Sequence, residues 1–198
     1  MRLGMVIDLK RCVGCQACVA ACKVEHGTPE GTYFTKVLKY ERGSYPNARL
    51  INMPRLCQHC AEASCVKACP TGASRHLENG IVMIDHSLCI GCRYCMAACP
   101  YNARSFIHNT RTGLPGGSGE QPAPCASMEK GTVSKCNFCQ ERVKEGRKPS
   151  CVETCPAGAR FFGDLDDPHS EISVLAGRAN ARQLYPEAGT DPKVFYLE

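Results

Sequence analysis

The chain has 198 residues, of which 17 are cysteine, 18 glycine and 13 proline, and it contains no tryptophan. Hydrophobic residues make up 43% of the chain, and about a fifth of these are cysteine, which leaves too little ordinary apolar content for a conventional core of this length. Lys and Arg number 24 against 19 Asp and Glu, a formal net charge of +5 that counts every cysteine as neutral.

The N-terminal sequence and the cysteine count bear on export and on disulfides. The opening MRLGMVIDLKRC has no apolar export segment, no twin arginine and no small-residue cleavage site, so no export signal is expected. No stretch approaches 18 apolar residues, so no membrane-spanning helix is expected either. A secreted disulfide scaffold is usually short with an even cysteine count, whereas this chain is long and its count is odd. Zinc and iron–sulfur clusters are the remaining explanations.

Sixteen of the cysteines fall into four groups. Groups one and three share the spacing C-x-x-C-x-x-C-x-x-x-C, group two stretches one interval to four residues, and group four opens an 11-residue loop before its last pair. Cys-Pro closes groups two, three and four. The groups are Cys12, Cys15, Cys18 and Cys22 (one); Cys57, Cys60, Cys65 and Cys69 (two); Cys89, Cys92, Cys95 and Cys99 (three); and Cys136, Cys139, Cys151 and Cys155 (four).

A hairpin pattern lies between groups two and three. Residues 78–80, Glu-Asn-Gly, precede the apolar residues 81–84, which predicts a turn between two short strands. The intervals from Cys22 to Cys57 and from Cys99 to Cys136 are longer, at 35 and 37 residues. Groups two and three are therefore the compact pair.

The remaining segments indicate docking rather than chemistry. Residues 109–135 are rich in Gly, Pro and Ser, and we assign 109–129 to a surface loop. This loop carries the seventeenth cysteine, Cys125, which is expected to be a free or partner-buried thiol. The segment 164–198 is predicted to be a docking segment, with a short helix from about 168 to 183 after Asp167-Pro168 and an apolar tail, 194–197, that should pack on something.

The spacing favours clusters over zinc. In the bacterial ferredoxin run C-x-x-C-x-x-C-x-x-x-C-P, three thiolates hold one [4Fe–4S] cube and the fourth reaches a second cube. Zinc ribbons and fingers instead place two pairs about 12 to 20 residues apart. Sixteen thiolates therefore predict four [4Fe–4S] clusters. His59 lies within loop reach of a cluster, but with all four thiolates present it is expected to be a polar neighbour or a surface residue, as are the other five histidines.

The compact pairing predicts an α+β chain of two ferredoxin-like units, one inserted in the other. Residues 51–108 form the inserted unit, and residues 1–50 with 130–163 form the other. The rival pairing, group one with two and three with four, is not excluded by spacing. The predicted ligand sets are Cys12, Cys15, Cys18 and Cys155 (set 1); Cys22, Cys136, Cys139 and Cys151 (set 2); Cys57, Cys60, Cys65 and Cys99 (set 3); and Cys69, Cys89, Cys92 and Cys95 (set 4).

The order of these motifs resembles a known family. The stretched CQHCAEASCVKAC and the open fourth group, CNFC to CVETCP, are similar to the four-cluster electron-transfer subunit of molybdopterin oxidoreductases. The opening MRLGMVIDLKRCVGC, the segment GDLDDP and the tail EAGTDPKVFYL further resemble subunits of respiratory polysulfide, thiosulfate and arsenate reductases. Some relatives replace one cluster thiolate with Trp, but Cys92 and the other fifteen positions are intact here.

This resemblance implies an electron path between a molybdenum or tungsten pterin subunit and a quinone-linked membrane subunit or other redox partner. It also implies export with a signal-bearing partner to the periplasm or to the outer face of the cytoplasmic membrane. The alternative is a cytoplasmic polyferredoxin serving a hydrogenase or formate dehydrogenase. Substrate chemistry by the chain itself would need an open metal position or a nucleophile–base pair, and the sequence indicates neither. Four clusters at about −2 each bring the net charge near −3, so the basic residues are expected to offset buried cluster charge and do not mark a nucleic-acid patch.

Overall fold

The computed structural model describes residues 1–110 and 128–198. Within these ranges the chain forms short strands and short helices, an α+β arrangement. The strands are β1 (Leu3–Asp8), β2 (Thr35–Arg42), β3 (Arg49–Leu56), β4 (Ser74–His76), β5 (Val82–Ile84), β6 (Arg104–Phe106), β7 (Val133–Lys135), β8 (Arg160–Asp164), β9 (Ala181–Gln183) and β10 (Val194–Leu197). The helices are α1 (Ala17–His26), α2 (Ser64–Lys67), α3 (Tyr94–Ala97), α4 (Gln140–Lys144), α5 (Ser150–Glu153) and α6 (Glu171–Ala176).

Strand β1 is an inner strand of a four-stranded sheet with the order β8-β1-β10-β9. It runs parallel to β10 and antiparallel to β8. Met5, Val6 and Ile7 are fully buried, because Met5 and Ile7 pack into the largest apolar cluster while Val6 packs into a second one. A continuous apolar run is what a strand covered on both faces requires. Strand β1, at the start of the chain, therefore joins β8, which follows group four, to β10 in the C-terminal tail.

The C-terminal tail packs inside the chain. Val194, Tyr196 and Leu197 are buried, and β10 is hydrogen-bonded to β1 on one side and β9 on the other. The expectation that this apolar tail packs against another surface is met by the chain's own sheet.

The predicted helix at 168–183 is wrong in its bounds. Helix α6 begins after Ser170, whose Oγ accepts a hydrogen bond from Ser173 N at 3.1 Å, and it ends before Gly177. Residues 181–183 leave the helix and form β9 instead. Pairing with the edge of β10 outweighs the weak local helix propensity there, as tertiary contacts often do.

Three two-stranded hairpins complete the described structure. The predicted turn at 78–80 is confirmed, since β4 pairs antiparallel with β5 across it. Strands β6 and β7 pair across the loop that separates groups three and four. The longest hairpin, β2 with β3, fills the interval between groups one and two and carries exposed Leu38 and Leu50.

Cysteine thiols form part of the main apolar core. Cys18, Cys22, Cys57, Cys136 and Cys151 lie in the same cluster as nine other buried residues. Those nine, drawn from both predicted units and the C-terminal tail, are Leu3, Met5, Ile7, Phe34, Leu56, Ile81, Phe138, Val194 and Tyr196. Whatever the thiols bind is therefore continuous with the core.

The Tyr196 hydroxyl is a buried bridge between β10 and the segment at the end of β3. It donates to the Pro54 carbonyl at 3.0 Å and accepts from Gln58 Nε2 at 3.4 Å. Tyr196→Phe leaves these buried groups without that partner, so we expect a loss of about 1–3 kcal/mol in the free energy of unfolding. Anaerobic urea unfolding of the metal-loaded protein measures it, with Tyr45→Phe as the control because Tyr45 is 95% exposed. Equal stability of the two variants would contradict this.

Candidate iron–sulfur cluster sites

The four cysteine groups share one backbone device. The residue before the second cysteine of each group has a positive φ: 69° at Gly14, 45° at His59, 68° at Gly91 and 56° at Phe138. The left-handed conformation turns the chain sharply, which curls the first cysteines of each group around a common centre. The third cysteine of each group then lies in a helix: Cys18 in α1, Cys65 in α2, Cys95 in α3 and Cys151 in α5.

Two clefts each bring together cysteines from two different groups. The first is lined by Cys12, Cys15, Cys18 and Cys155. The second is lined by Cys69, Cys89, Cys92 and Cys95. In both, the last cysteine of one group faces the first three of another. These are the residues predicted as set 1 and set 4.

The other cysteines gather in the interior. Burial raises the pKa of Cys22 well above its usual value, and the nearby Cys136, Cys151 and Cys139 add to the shift. Burial likewise raises the pKa of Cys60 to about 11, with smaller contributions from Cys57, Cys65 and Cys99. The cysteines that neighbour Cys22 and Cys60 are thus the remaining members of predicted sets 2 and 3.

The donor chemistry fits iron–sulfur clusters. All sixteen described cysteines are free thiols, and thiolate is the ligand that such clusters take. Among the described residues, no group of three or more His, Cys, Asp or Glu side chains is close enough to hold a single metal ion. A zinc site would draw four ligand atoms to within about 2.3 Å of one ion, whereas a cube of iron and sulfur needs its thiolates further apart.

The four groups of neighbouring cysteines are arranged in a line through the molecule. Cys18, in the first cleft, is close enough to Cys151 to raise its pKa. Cys57 likewise lies close enough to Cys136 to raise the pKa of Cys136, and these two cysteines belong to different predicted units. At the far end, Arg104 interacts with both Cys65 and Cys95. Sets 1, 2, 3 and 4 are therefore neighbours in that order.

The two ends of this chain of cysteines reach the surface. Among the described cysteines, only Cys15 and Cys92 are exposed. The aliphatic side chains of Val13 and Ile90, in the same two loops, are 67% and 68% exposed. The loops of groups one and three thus each have an exposed aliphatic side chain, Val13 or Ile90, beside an exposed thiol.

Comparisons with known proteins identify iron–sulfur domains in this chain. Residues 48–113 and 122–165 match a 4Fe-4S dicluster domain, and residues 3–24 match a 4Fe-4S binding domain. The arsenate respiratory reductase iron–sulfur subunit of a Shewanella strain is 40% identical over 100% of this chain and 96% of its own length. A putative dimethyl sulfoxide reductase iron–sulfur subunit of Halobacterium salinarum is 43% identical over 98% of this chain and 78% of its own. A tetrathionate reductase subunit of Salmonella typhimurium is 41% identical over 99% and 72%.

The chain belongs to the iron–sulfur subunits of molybdopterin reductases. The resemblance indicated by the cysteine order is therefore confirmed, and this family's role is electron transport. In the part of this family member that the structure describes, no helix is long and apolar enough to cross a membrane. Cys125 and most of the predicted loop at 109–129 lie outside the described residues.

Burial excludes a surface position for two histidines of this iron–sulfur subunit and leaves the other expectation, a polar neighbour of a cluster. His59 is fully buried and stacks on Phe138, with ring centroids 3.8 Å apart, and its Nδ1 accepts a hydrogen bond from Val82 N at 3.1 Å. Burial, and then the nearby cations Lys135, Lys193 and Arg104, hold its pKa well below the usual value, so it is neutral. His26 is also buried, with Nε2 3.4 Å from Cys139 Sγ.

The repeat pattern could have revealed the buried position of His59. It occupies the same place before the second cysteine as Phe138 does in group four, and these two equivalent residues are the ones that stack. His76, His108 and His169 are exposed and agree with the expectation, while His86 is partly buried.

Gly91 is required by the loop around the group-three cleft. A Cβ at this position would lie 1.9 Å from the Gly131 carbonyl oxygen, at a φ of +68°. We expect Gly91→Ala to displace the loop and to lower the iron and sulfide content of the protein. Gly146→Ala is the control, since Gly146 has a φ of +75° but no atom within 4 Å of the added Cβ, so both variants carry the same kind of backbone strain. Full metal loading of Gly91→Ala would show that the cleft does not depend on this turn.

Proposed function

We propose that the chain relays electrons through four [4Fe–4S] clusters, between a molybdopterin subunit holding molybdenum or tungsten and a quinone-linked membrane subunit. The observation that supports this best is the continuous series of four cysteine gatherings in the described part of the chain, in which only the two end members have an exposed cysteine. Each bound cluster supplies one-electron chemistry without a change of substrate bonds. The protein holds the clusters in a row and shields the two inner clusters, those of sets 2 and 3, from water.

The roles of the side chains follow from burial. Sets 1 to 4, as predicted, supply the sixteen thiolates. Every thiol of set 2 and two of set 3 are buried, which insulates the middle of the path. Cys15 and Cys92 lie at the surface, where a partner's redox centre approaches closely. The chain itself performs no substrate chemistry in this proposal.

The orientation rests on the family resemblance. Set 1 faces the molybdopterin subunit and set 4 faces the quinone side, and the apolar tips at Val13 and Ile90 are the corresponding contact points. In this proposal the complex works in the periplasm or at the outer face of the cytoplasmic membrane, and this chain is exported together with a signal-bearing partner.

Metal analysis of the native complex tests the proposal. Protein purified anaerobically from its own cells should contain about sixteen iron and sixteen acid-labile sulfide per chain, and it should co-purify with a subunit containing molybdenum or tungsten. Twelve or fewer irons after full reconstitution, or bound zinc in place of iron, would remove the four-cluster proposal. A fully loaded chain that purifies without such a subunit would contradict the proposal of a molybdopterin partner.

A further inference from the structure

Two buried arginines occupy the same position in a repeated segment. Group three continues as Cys-Pro-Tyr-Asn-Ala-Arg and group four as Cys-Pro-Ala-Gly-Ala-Arg, which places Arg104 and Arg160 five residues after their cysteines. Their exposures are 3% and 4%. Group two continues as Cys-Pro-Thr-Gly-Ala-Ser, so Ser74 stands at the equivalent place. Each predicted ferredoxin-like unit therefore has one such arginine.

Arg160 joins thiols of set 1 and set 2. Its Nη2 donates to Cys18 Sγ at 3.3 Å and its Nη1 to Cys151 Sγ at 3.6 Å. Nη2 also donates to Thr35 Oγ1 at 3.2 Å, which fixes the plane of the guanidinium.

Arg104 makes the matching contacts in the other unit. Its Nη2 donates to Cys65 Sγ of set 3 at 3.0 Å. Arg104 also lines the cleft that contains Cys95 of set 4. Its Nη1 donates to Ser74 Oγ at 2.8 Å. The serine that replaces arginine in the group-two copy thus orients the arginine of the group-three copy.

The partners of these arginines are unusual for buried cations. Buried charges are normally paired with an opposite charge, as Arg142 is with Glu25 and Glu153. Among the described residues, neither Arg104 nor Arg160 forms an ion pair with a carboxylate. The anionic partners that their burial requires are the thiolates of the bound clusters.

We propose that Arg104 and Arg160 set the reduction potentials of the clusters in pairs, with each guanidinium shared by the two clusters of one ferredoxin-like unit. This inference rests on the proposed four-cluster function. When an electron arrives from the neighbouring redox centre, a cluster of charge about −2 becomes about −3 and takes up no proton. A fixed positive charge in contact with its sulfur stabilises the reduced form more than the oxidised form, and the buried surroundings screen this weakly. Both arginines therefore raise the potentials of the clusters they contact.

The planar fork of arginine is suited to this role. Its five N–H donors lie in one plane and reach two acceptors at once, whereas lysine offers a point charge on a flexible stem. One arginine can therefore keep two neighbouring potentials close together, which favours electron passage between them in either direction.

The experiment is a redox titration followed by electron paramagnetic resonance, on fully loaded protein with cluster signals assigned beforehand. Arg104→Gln should favour the oxidised forms of the clusters of sets 3 and 4 by at least tenfold, a drop of about 59 mV, while sets 1 and 2 stay as in the wild type. Arg160→Gln should lower the potentials of the clusters of sets 1 and 2 by a similar amount, while those of sets 3 and 4 stay as in the wild type. Arg75→Gln is the matched control, because Arg75 directly follows Ser74, is 54% exposed and pairs with Asp85, so it removes the same charge without touching a thiol.

Iron analysis separates this inference from the proposed function. Twelve or fewer irons in the fully reconstituted wild type would count against the four clusters themselves, whereas unchanged potentials in fully loaded Gln variants would overturn only the role of the arginines. Equal shifts of all four clusters, or a shift as large in Arg75→Gln, would overturn it as well.

The lysine variants guard against failure of the Gln variants to fold. Arg104→Lys and Arg160→Lys keep the buried charge but reach one thiolate, so the potential of one cluster of the pair should fall while the other is retained. Unchanged potentials of both clusters in the Lys variants would contradict a shared guanidinium.

Discussion

Removal of iron by a chelator under anaerobic conditions is expected to unfold the chain in one cooperative transition. Part of the reason is that five cysteines are members of the main apolar core, so loss of the clusters opens cavities in its middle. Cavities in a packed core are costly because neighbouring side chains relax only partly. Metal binding and folding are coupled in other small metal-dependent domains for the same reason.

The buried arginines make this unfolding more complete. Burial raises the pKa of Cys65, Cys95 and Cys151, so without iron these thiols stay protonated and neutral near pH 7. Arg104 and Arg160 would then be buried cations without an anionic partner. A buried charge that loses its partner costs roughly 3–5 kcal/mol, and two such losses are comparable to the whole stability of a typical domain, about 5–15 kcal/mol.

Circular dichroism and amide nuclear magnetic resonance of the treated protein check this expectation. The control is the same chelator saturated with iron, which should leave both spectra unchanged. An iron-free form that keeps the native circular dichroism and dispersed amide signals would show that the polypeptide folds by itself.

The cysteine spacing predicted more of this structure than the apolar pattern did. The hairpin between groups two and three follows from a local turn sequence, and the two clefts contain the cysteines that the ferredoxin spacing had grouped. These features depend on residues close in sequence, or on a motif whose geometry is fixed by the cluster it holds. Such constraints are visible in a single sequence.

Long-range packing explains what the sequence did not reveal. The burial of His59 depends on its stacking against Phe138, 79 positions later in the chain. The end of α6 depends on the edge of β10, and the internal packing of the tail depends on β1 at the other end of the chain. The β2–β3 hairpin was not predicted either, because its strands are joined by the six residues 43–48 and not by a two-residue turn. The repeat of the cysteine groups equates the positions of His59 and Phe138, but local periodicity does not show that they stack, and it identifies none of the other partners.

The crossed arrangement of ligands predicts a distinctive result for two cysteine variants. Cys155→Ser should disturb the cluster held by Cys12, Cys15 and Cys18, because Cys155 lines the same cleft as those three cysteines. The reason is that the last cysteine of a ferredoxin run reaches the second cube rather than its own. Its own group, which includes Cys151, should keep its cluster.

Cys22→Ser should have the complementary effect. Cys22 is buried, with Cys136, Cys139 and Cys151 close enough to raise its pKa, so its replacement should disturb the cluster held by those three thiolates. The clusters of sets 3 and 4 should titrate unchanged in both variants, since all their ligands belong to groups two and three.

Cys125→Ser is the matched control for both variants, because this seventeenth cysteine belongs to none of the four sets and should alter no cluster signal. The rival pairing of group one with group two makes a different prediction: Cys22→Ser would then damage the cluster of Cys57, Cys60 and Cys65. Electron paramagnetic resonance with assigned signals distinguishes the two arrangements in one measurement. Loss of the Cys57, Cys60 and Cys65 signal in Cys22→Ser would refute the crossed arrangement, whereas loss of the Cys136, Cys139 and Cys151 signal would exclude the rival pairing.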